Sequence, residues 1–112
     1  MEGDDRVRLR HMIEAAETAV RFAAGRERKD LETDEMLSLA LTRAVEVIGE
    51  AASRISEAGR AEFPEIPWRV IVAMRNRLVH AYFDVDRDVL WRTVEEEIPA
   101  ILPAFRAALE RE

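Results

Sequence analysis

Four residues in one short, partly apolar stretch have the side chains that handle phosphate esters. They are Arg75, Asn76, His80 and Tyr82, in the stretch Met74-Arg75-Asn76-Arg77-Leu78-Val79-His80-Ala81-Tyr82. An arginine carries a permanent charge on a planar fork that matches phosphate oxygens. A histidine moves protons near neutral pH. A carboxamide orients an imidazole or holds a phosphate oxygen, and a tyrosine offers a hydroxyl. Each taken singly has a plainer explanation: Arg75 as an ion-pair partner, His80 and Asn76 as surface residues, Tyr82 as the edge of a core.

The elements that position these residues must fit in 112 residues, enough for a single domain, 1–112. Apolar residues make up 48% and charged residues 36%, the balance of a globular protein with a core and a charged surface. There is no cysteine, so disulfides, thiolate metal sites and cysteine nucleophiles are excluded together, and a cytoplasmic location is expected. The two histidines, His11 and His80, are far apart, so no zinc-type spacing exists. No stretch approaches the roughly 20 apolar residues of a membrane span, and the acidic start Met1-Glu2-Gly3-Asp4-Asp5 has no signal-peptide character. The net charge of −6 argues against a dedicated nucleic-acid binder. It leaves room for a local basic site, and Arg69, Arg75, Arg77, Arg87 and Arg92 fall in one short region.

Apolar periodicity predicts an all-α chain of four or five helices with no strand. The first covers about Asp5 to Ala24, with Gly25 as its stop and a charged loop after it. The second starts at a Thr33 N-cap and runs to Ala58-Gly59. Phe63 to Trp68 is a linker with two prolines, and Pro67 opens a third helix that reaches His80 or Tyr82. Asp84 and Asp86 offer caps for a fourth helix, about Arg87 to Ile98. Pro99 and Pro103 predict a broken last helix from Pro99 to Leu109. Trp68 and Trp91 read as core anchors, and Glu95-Glu96-Glu97 as a solvated face.

Stepping the third helix at 100° per residue sets Trp68, Ile71, Leu78, Val79 and Tyr82 within about 60° of Arg75. Arg75 then lies in the core stripe and needs a partner, for which Glu46 and Glu50 are the nearest choices by pattern. Asn76 and His80, four apart, share a second face with Arg69.

The pattern Arg75-x4-His80-x-Tyr82 resembles the signature of the HEPN superfamily and of its HepT-like branch. The surround is similar too: Val47-Ile48-Gly49-Glu50-Ala51-Ala52, then Pro64-Glu65-Ile66-Pro67-Trp68-Arg69-Val70-Ile71, then Val79-His80-Ala81-Tyr82-Phe83-Asp84-Val85-Asp86, with Trp91, Val94 and Ile98-Pro99 continuing the likeness. It spans roughly residues 6 to 105. Ala81 departs from the pattern, which commonly has Gly or Asp there. The resemblance implies a dimeric HEPN-type up-and-down helical bundle and a metal-independent endoribonuclease without a cofactor. It further implies the toxin of a type II/VII-like toxin–antitoxin pair. Arg75, Asn76 and His80 would be catalytic, with Glu50, Arg69 and Arg77 as supporting candidates. The implied partners are RNA, a second copy of the chain, and an MntA-like minimal nucleotidyltransferase antitoxin that silences the toxin by AMPylating Tyr82. The alternative is a non-catalytic helical partner, a substrate-binding subunit of such a nucleotidyltransferase.

Overall fold

The computed structural model describes residues 1–81 and 84–111, with the backbone alone described at 79–81. Helices dominate, as the periodicity predicts. α1 (Gly3–Ala23) opens with Asp4 and Asp5, whose charge suits the positive end of the helix dipole. It buries Leu9, Met12, Ile13, Ala16 and Ala19 at helical spacing, and Gly25 just beyond it takes φ 74°, the left-handed conformation that glycine tolerates.

The charged segment expected to be loop contains a turn of helix, α2 (Asp30–Thr33), because Leu31 drops into the core and anchors it. This moves the next start by one residue. Asp34, not Thr33, caps α3 (Glu35–Ser53), its carboxylate accepting the Leu37 N–H at 3.0 Å. The Arg26 guanidinium, 2.7 Å from Asp34, holds that carboxyl below its ordinary range.

α3 also ends sooner than its pattern predicts. Ser56 starts a separate helix, α4 (Glu57–Glu62), and its hydroxyl accepts the Gly59 N–H at 3.0 Å. The same serine donates to buried Asp5 through its backbone N–H at 2.9 Å and its hydroxyl at 2.6 Å, so α4 is latched to the start of α1.

α5 (Trp68–Leu78) follows the proline-bearing linker, and the Trp68 indole donates to the Phe63 carbonyl at 3.0 Å. Its core stripe is Trp68, Ile71, Met74 and Leu78. α5 stops at Leu78 instead of reaching His80 or Tyr82. The chain enters β1 (Val79–Ala81), which pairs antiparallel with β2 (Asp84–Val85), a short ladder where no strand was expected. The Leu78 carbonyl accepts the Asp86 N–H at 2.7 Å, which supplies the helix end with a donor from across the turn.

Asp86 caps α6 (Arg87–Arg92) as expected, accepting the N–H groups of Asp88 and Val89. The break expected at Pro99 does not occur. α6 passes through one π turn (Thr93–Glu97) into α7 (Ile98–Glu110), and Pro103 lies inside α7. The Ile98 N–H reaches back five residues to the Thr93 carbonyl, and this wider turn seats Pro99, which has no N–H to donate.

α1 packs along α3 on one side and α7 on the other, and α5 packs on α3. Leu9, Met12, Leu41, Ile48, Ile71, Leu90 and Phe105, all fully or almost fully buried, belong to one hydrophobic cluster shared by these helices. Gly49 lets α5 approach α3 closely: a methyl group there would lie 3.4 Å from the Ile71 carbonyl oxygen. Among the described residues no helix is long and apolar enough to cross a membrane.

Candidate active site

The close packing of α5 on α3 determines where Arg75 goes. Arg75 is not in the core stripe, because Met74 fills that position one residue earlier. Its side chain is 46% exposed and extends over α3, where Nε donates to Glu46 Oε2 at 3.0 Å. Of the two carboxylates left open by the pattern, Glu46 is therefore the partner. Using Nε for the carboxylate leaves the terminal amino groups of the guanidinium without a protein partner among the described residues. That edge is the fork that binds phosphate in pairs of hydrogen bonds.

Glu50, one helical turn further on, faces α1 instead and lines a shallow dish with Arg8 and His11. Arg77 is held by Glu97 at 3.1 Å, and Arg92 approaches the same carboxylate at 4.0 Å. Glu97 is thus an ion-pair partner, while Glu95 and Glu96 are exposed as expected. Arg69 and Asn76 are exposed on α5, and Asn76 and His80 do not stand on successive turns of one helix, since the helix ends between them.

His80 lies on β1 at an irregular step of the ladder. Val79 pairs with Val85 and Ala81 with Asp84, so β1 carries one residue more than its partner strand between these pairs, and that residue is His80. An extra residue bends a strand and is a common device for aiming a side chain. The Tyr82 assignment lies outside the described residues.

A groove of about 670 Å³ adjoins the Arg75–Glu46 pair. Glu46, Thr42, Arg43 and Leu39 of α3 form one wall, and Val85 of the ladder and Arg87 just after it reach the groove as well. Thr42 is buried, and its hydroxyl has no hydrogen-bond partner. Sequence reasoning did not single out this wall. Two adjacent polar residues between Leu41 and Ala44 were the available signal, but Arg87 and Val85 come to the groove only through the fold.

A family model described as ribonuclease HepT-like matches residues 12–108 of the chain. The chain belongs to the ribonuclease HepT-like family. It is similar to the "Probable ribonuclease HepT" of Thermococcus cleftensis, with 41% identity over 97 residues that cover 87% of this chain and 88% of the relative. It is also similar to "Putative RNase MJ1380" of Methanocaldococcus jannaschii, 36% identical over 93 residues covering 83% and 85%. A third relative, "Putative RNase TTE0752" of Caldanaerobacter subterraneus subsp. tengcongensis, is 31% identical over 104 residues, 93% of each chain. No solved structure matches. The match spans α1 from Met12 through most of α7, so the HepT-like region takes in Arg75, Glu46, the ladder and the groove together.

Proposed function

We propose that this HepT-like chain is a metal-independent endoribonuclease whose active site is composed by two copies of the chain. The observation that carries this reading is an arginine on α5 held by Glu46, its phosphate-binding edge without a partner among the described residues, in a chain whose relatives are named as ribonucleases. Asn76 and His80 complete the catalytic set, and Arg69 and Arg77 flank it on α5.

The reaction is attack of a ribose 2′-oxygen on the adjacent phosphorus. One bond forms between O2′ and phosphorus, the bond from phosphorus to O5′ breaks, and the products are a 2′,3′-cyclic phosphate and a 5′-hydroxyl. Such a step needs a base at O2′, an acid at O5′ and a cation beside the charge-rich phosphorane. A single chain has one suitable histidine. In a two-fold dimer one His80 takes the O2′ proton and His80 of the partner subunit protonates O5′. Arg75 stabilises the phosphorane oxygens, and Asn76 orients either His80 or a phosphate oxygen. The outer face of α5, where Arg69, Asn76 and half-exposed Val70 stand, is the surface such a dimer would cover.

The same reading makes the protein the toxin of a toxin–antitoxin pair. An MntA-like nucleotidyltransferase would transfer AMP from ATP to the Tyr82 oxygen, with pyrophosphate leaving. The added anion and its bulk would stand where the RNA phosphate must bind.

The test is cleavage of RNA by purified protein in EDTA, beside His80→Ala, after mass spectrometry has established that Tyr82 is unmodified. Cyclic phosphate ends that vanish in the variant are expected. An unmodified dimer that leaves RNA intact, or a fully active His80→Ala protein, would overturn the reading.

A further inference from the structure

Along the outward stripe of α3 that carries Glu46, the helix meets α1, and there the two helices form a shallow dish of about 220 Å³. Arg8 and His11 of α1 line it together with Arg43, Glu50 and Arg54 from α3 and the end of its last turn. Three guanidiniums and an imidazole thus surround one carboxylate, on a chain whose net charge is −6. Several arginines elsewhere are matched by a carboxylate: Arg26 with Asp34, Arg28 with Asp88, Arg77 with Glu97 and Arg106 with Glu17. Arg8, Arg43 and Arg54 have no such carboxylate among the described residues. These three cations thus stand together around one pocket, open at its mouth, on a chain of net negative charge.

The dish is continuous with the candidate active site through one residue. Arg43 lines both the dish and the groove, and Glu46, which holds Arg75, stands on the same groove wall. From Glu46 to Arg54 is eight residues of helical rise, about 12 Å. A strand leaving Arg75 over Glu46 can therefore run along α3 to Arg8 and Arg54, with Arg43 beside its start.

We propose that this dish is a second phosphodiester site that holds the RNA strand a few nucleotides away from the cleaved bond. The identity of the anion rests on the ribonuclease reading, while the dish as an anion site stands on its own geometry. Phosphate contacts of this kind add affinity without sequence preference and make binding depend on salt. The dish thus gives a protein of net negative charge a local cluster of cations with which to engage a polyanion.

Binding is tested with a single-stranded RNA whose 2′-hydroxyls are methylated, so that cleavage is not needed for the readout. Arg8→Ala/Arg54→Ala is expected to weaken binding roughly tenfold or more at low salt. The slope of log affinity against log salt should fall by about 0.7 for each phosphate that the variant fails to neutralise. Lys at both positions should restore most of the binding. Glu50→Gln should act in the opposite direction and tighten it several-fold, a sign that a folding defect would not give. In cleavage assays the double alanine variant should raise KM for a long RNA and leave turnover of a dinucleotide unchanged. Wild-type affinity and salt slope in the double variant, with no gain in Glu50→Gln, would overturn the proposal, and so would failure of the wild-type protein to bind the methylated RNA. Binding that depends on the dish in a protein that cuts no RNA would uphold the dish and overturn the ribonuclease reading alone.

Discussion

Arg75 and Glu46 illustrate how little stability a functional pair need contribute. The guanidinium is nearly half exposed and the pair is open to solvent, so its net contribution to folding is within about 1 kcal/mol. In the proposed mechanism its contribution to catalysis is of a different size, because a donor aimed at developing phosphorane charge is worth on the order of 10²–10³ in rate. Arg75→Ala should therefore lower kcat by roughly that factor with a thermal midpoint close to wild type; a large loss of stability would mean a structural arginine. Glu46 acts through Arg75, so Glu46→Ala should lower kcat less, and Glu46→Gln less still, since an amide oxygen also accepts the Nε–H. On an Arg75→Ala background either change should be silent, which single-turnover kinetics on the double variants would check. The residue types needed for this chemistry were legible in the sequence. The choice of Glu46 over Glu50 was not, because the two stand one turn apart on α3 and only the seating of α5 and α1 on either side separates them.

The elements reproduce the apolar periodicity, and they differ from it where a single local interaction decides a boundary. Asp34 displaces Thr33 as a cap, a π turn carries the last helix through Pro99, and α5 stops at Leu78 because the ladder takes over. Period and composition locate a helix; its ends depend on one or two hydrogen bonds that period does not encode. The latch between α1 and α4 is another interaction of this kind, since Asp5 and Ser56 are 51 residues apart. A methyl group on Gly59 would lie 2.5 Å from Asp5 Oδ2. That oxygen is also the acceptor for the Ser56 hydroxyl and cannot withdraw without losing the bond. Gly59→Ala should destabilise the fold by about 2 kcal/mol, the usual size of an overpacking strain, although alanine is the better helix former. Adding Asp5→Ala should cost less on the Gly59→Ala background than on wild type, because the clash and the latch share one carboxylate. Thermal or urea denaturation of the four proteins would measure this coupling, and strict additivity would refute it.

At the scale of the whole molecule, the fold gathers what the sequence keeps apart. Helix α3 is the axis of this arrangement: its outward residues reach Arg75 on one side, through Glu46, and Arg8 and His11 on the other. That a single chain offers one histidine to a reaction needing an acid and a base is visible in the sequence alone; that α5 leaves Arg69, Val70 and Asn76 on an open face is visible only in the fold. In the proposed mechanism the dimer is a catalytic requirement, which has a quantitative consequence. If each site uses both copies of His80, a mixed dimer of wild type and His80→Ala lacks either the acid or the base and is inactive. After unfolding and refolding the two proteins together at equal amounts, only about a quarter of the dimers are wild type on both sides. Activity per total protein should then be about a quarter of the all-wild-type value, and should fall with the square of the wild-type fraction as His80→Ala is increased. If each subunit worked alone, the mixture would keep half the activity and the dependence would be linear. Native mass spectrometry of the same mixtures gives the dimer distribution independently, so a linear activity curve over a confirmed binomial distribution would refute the composite site.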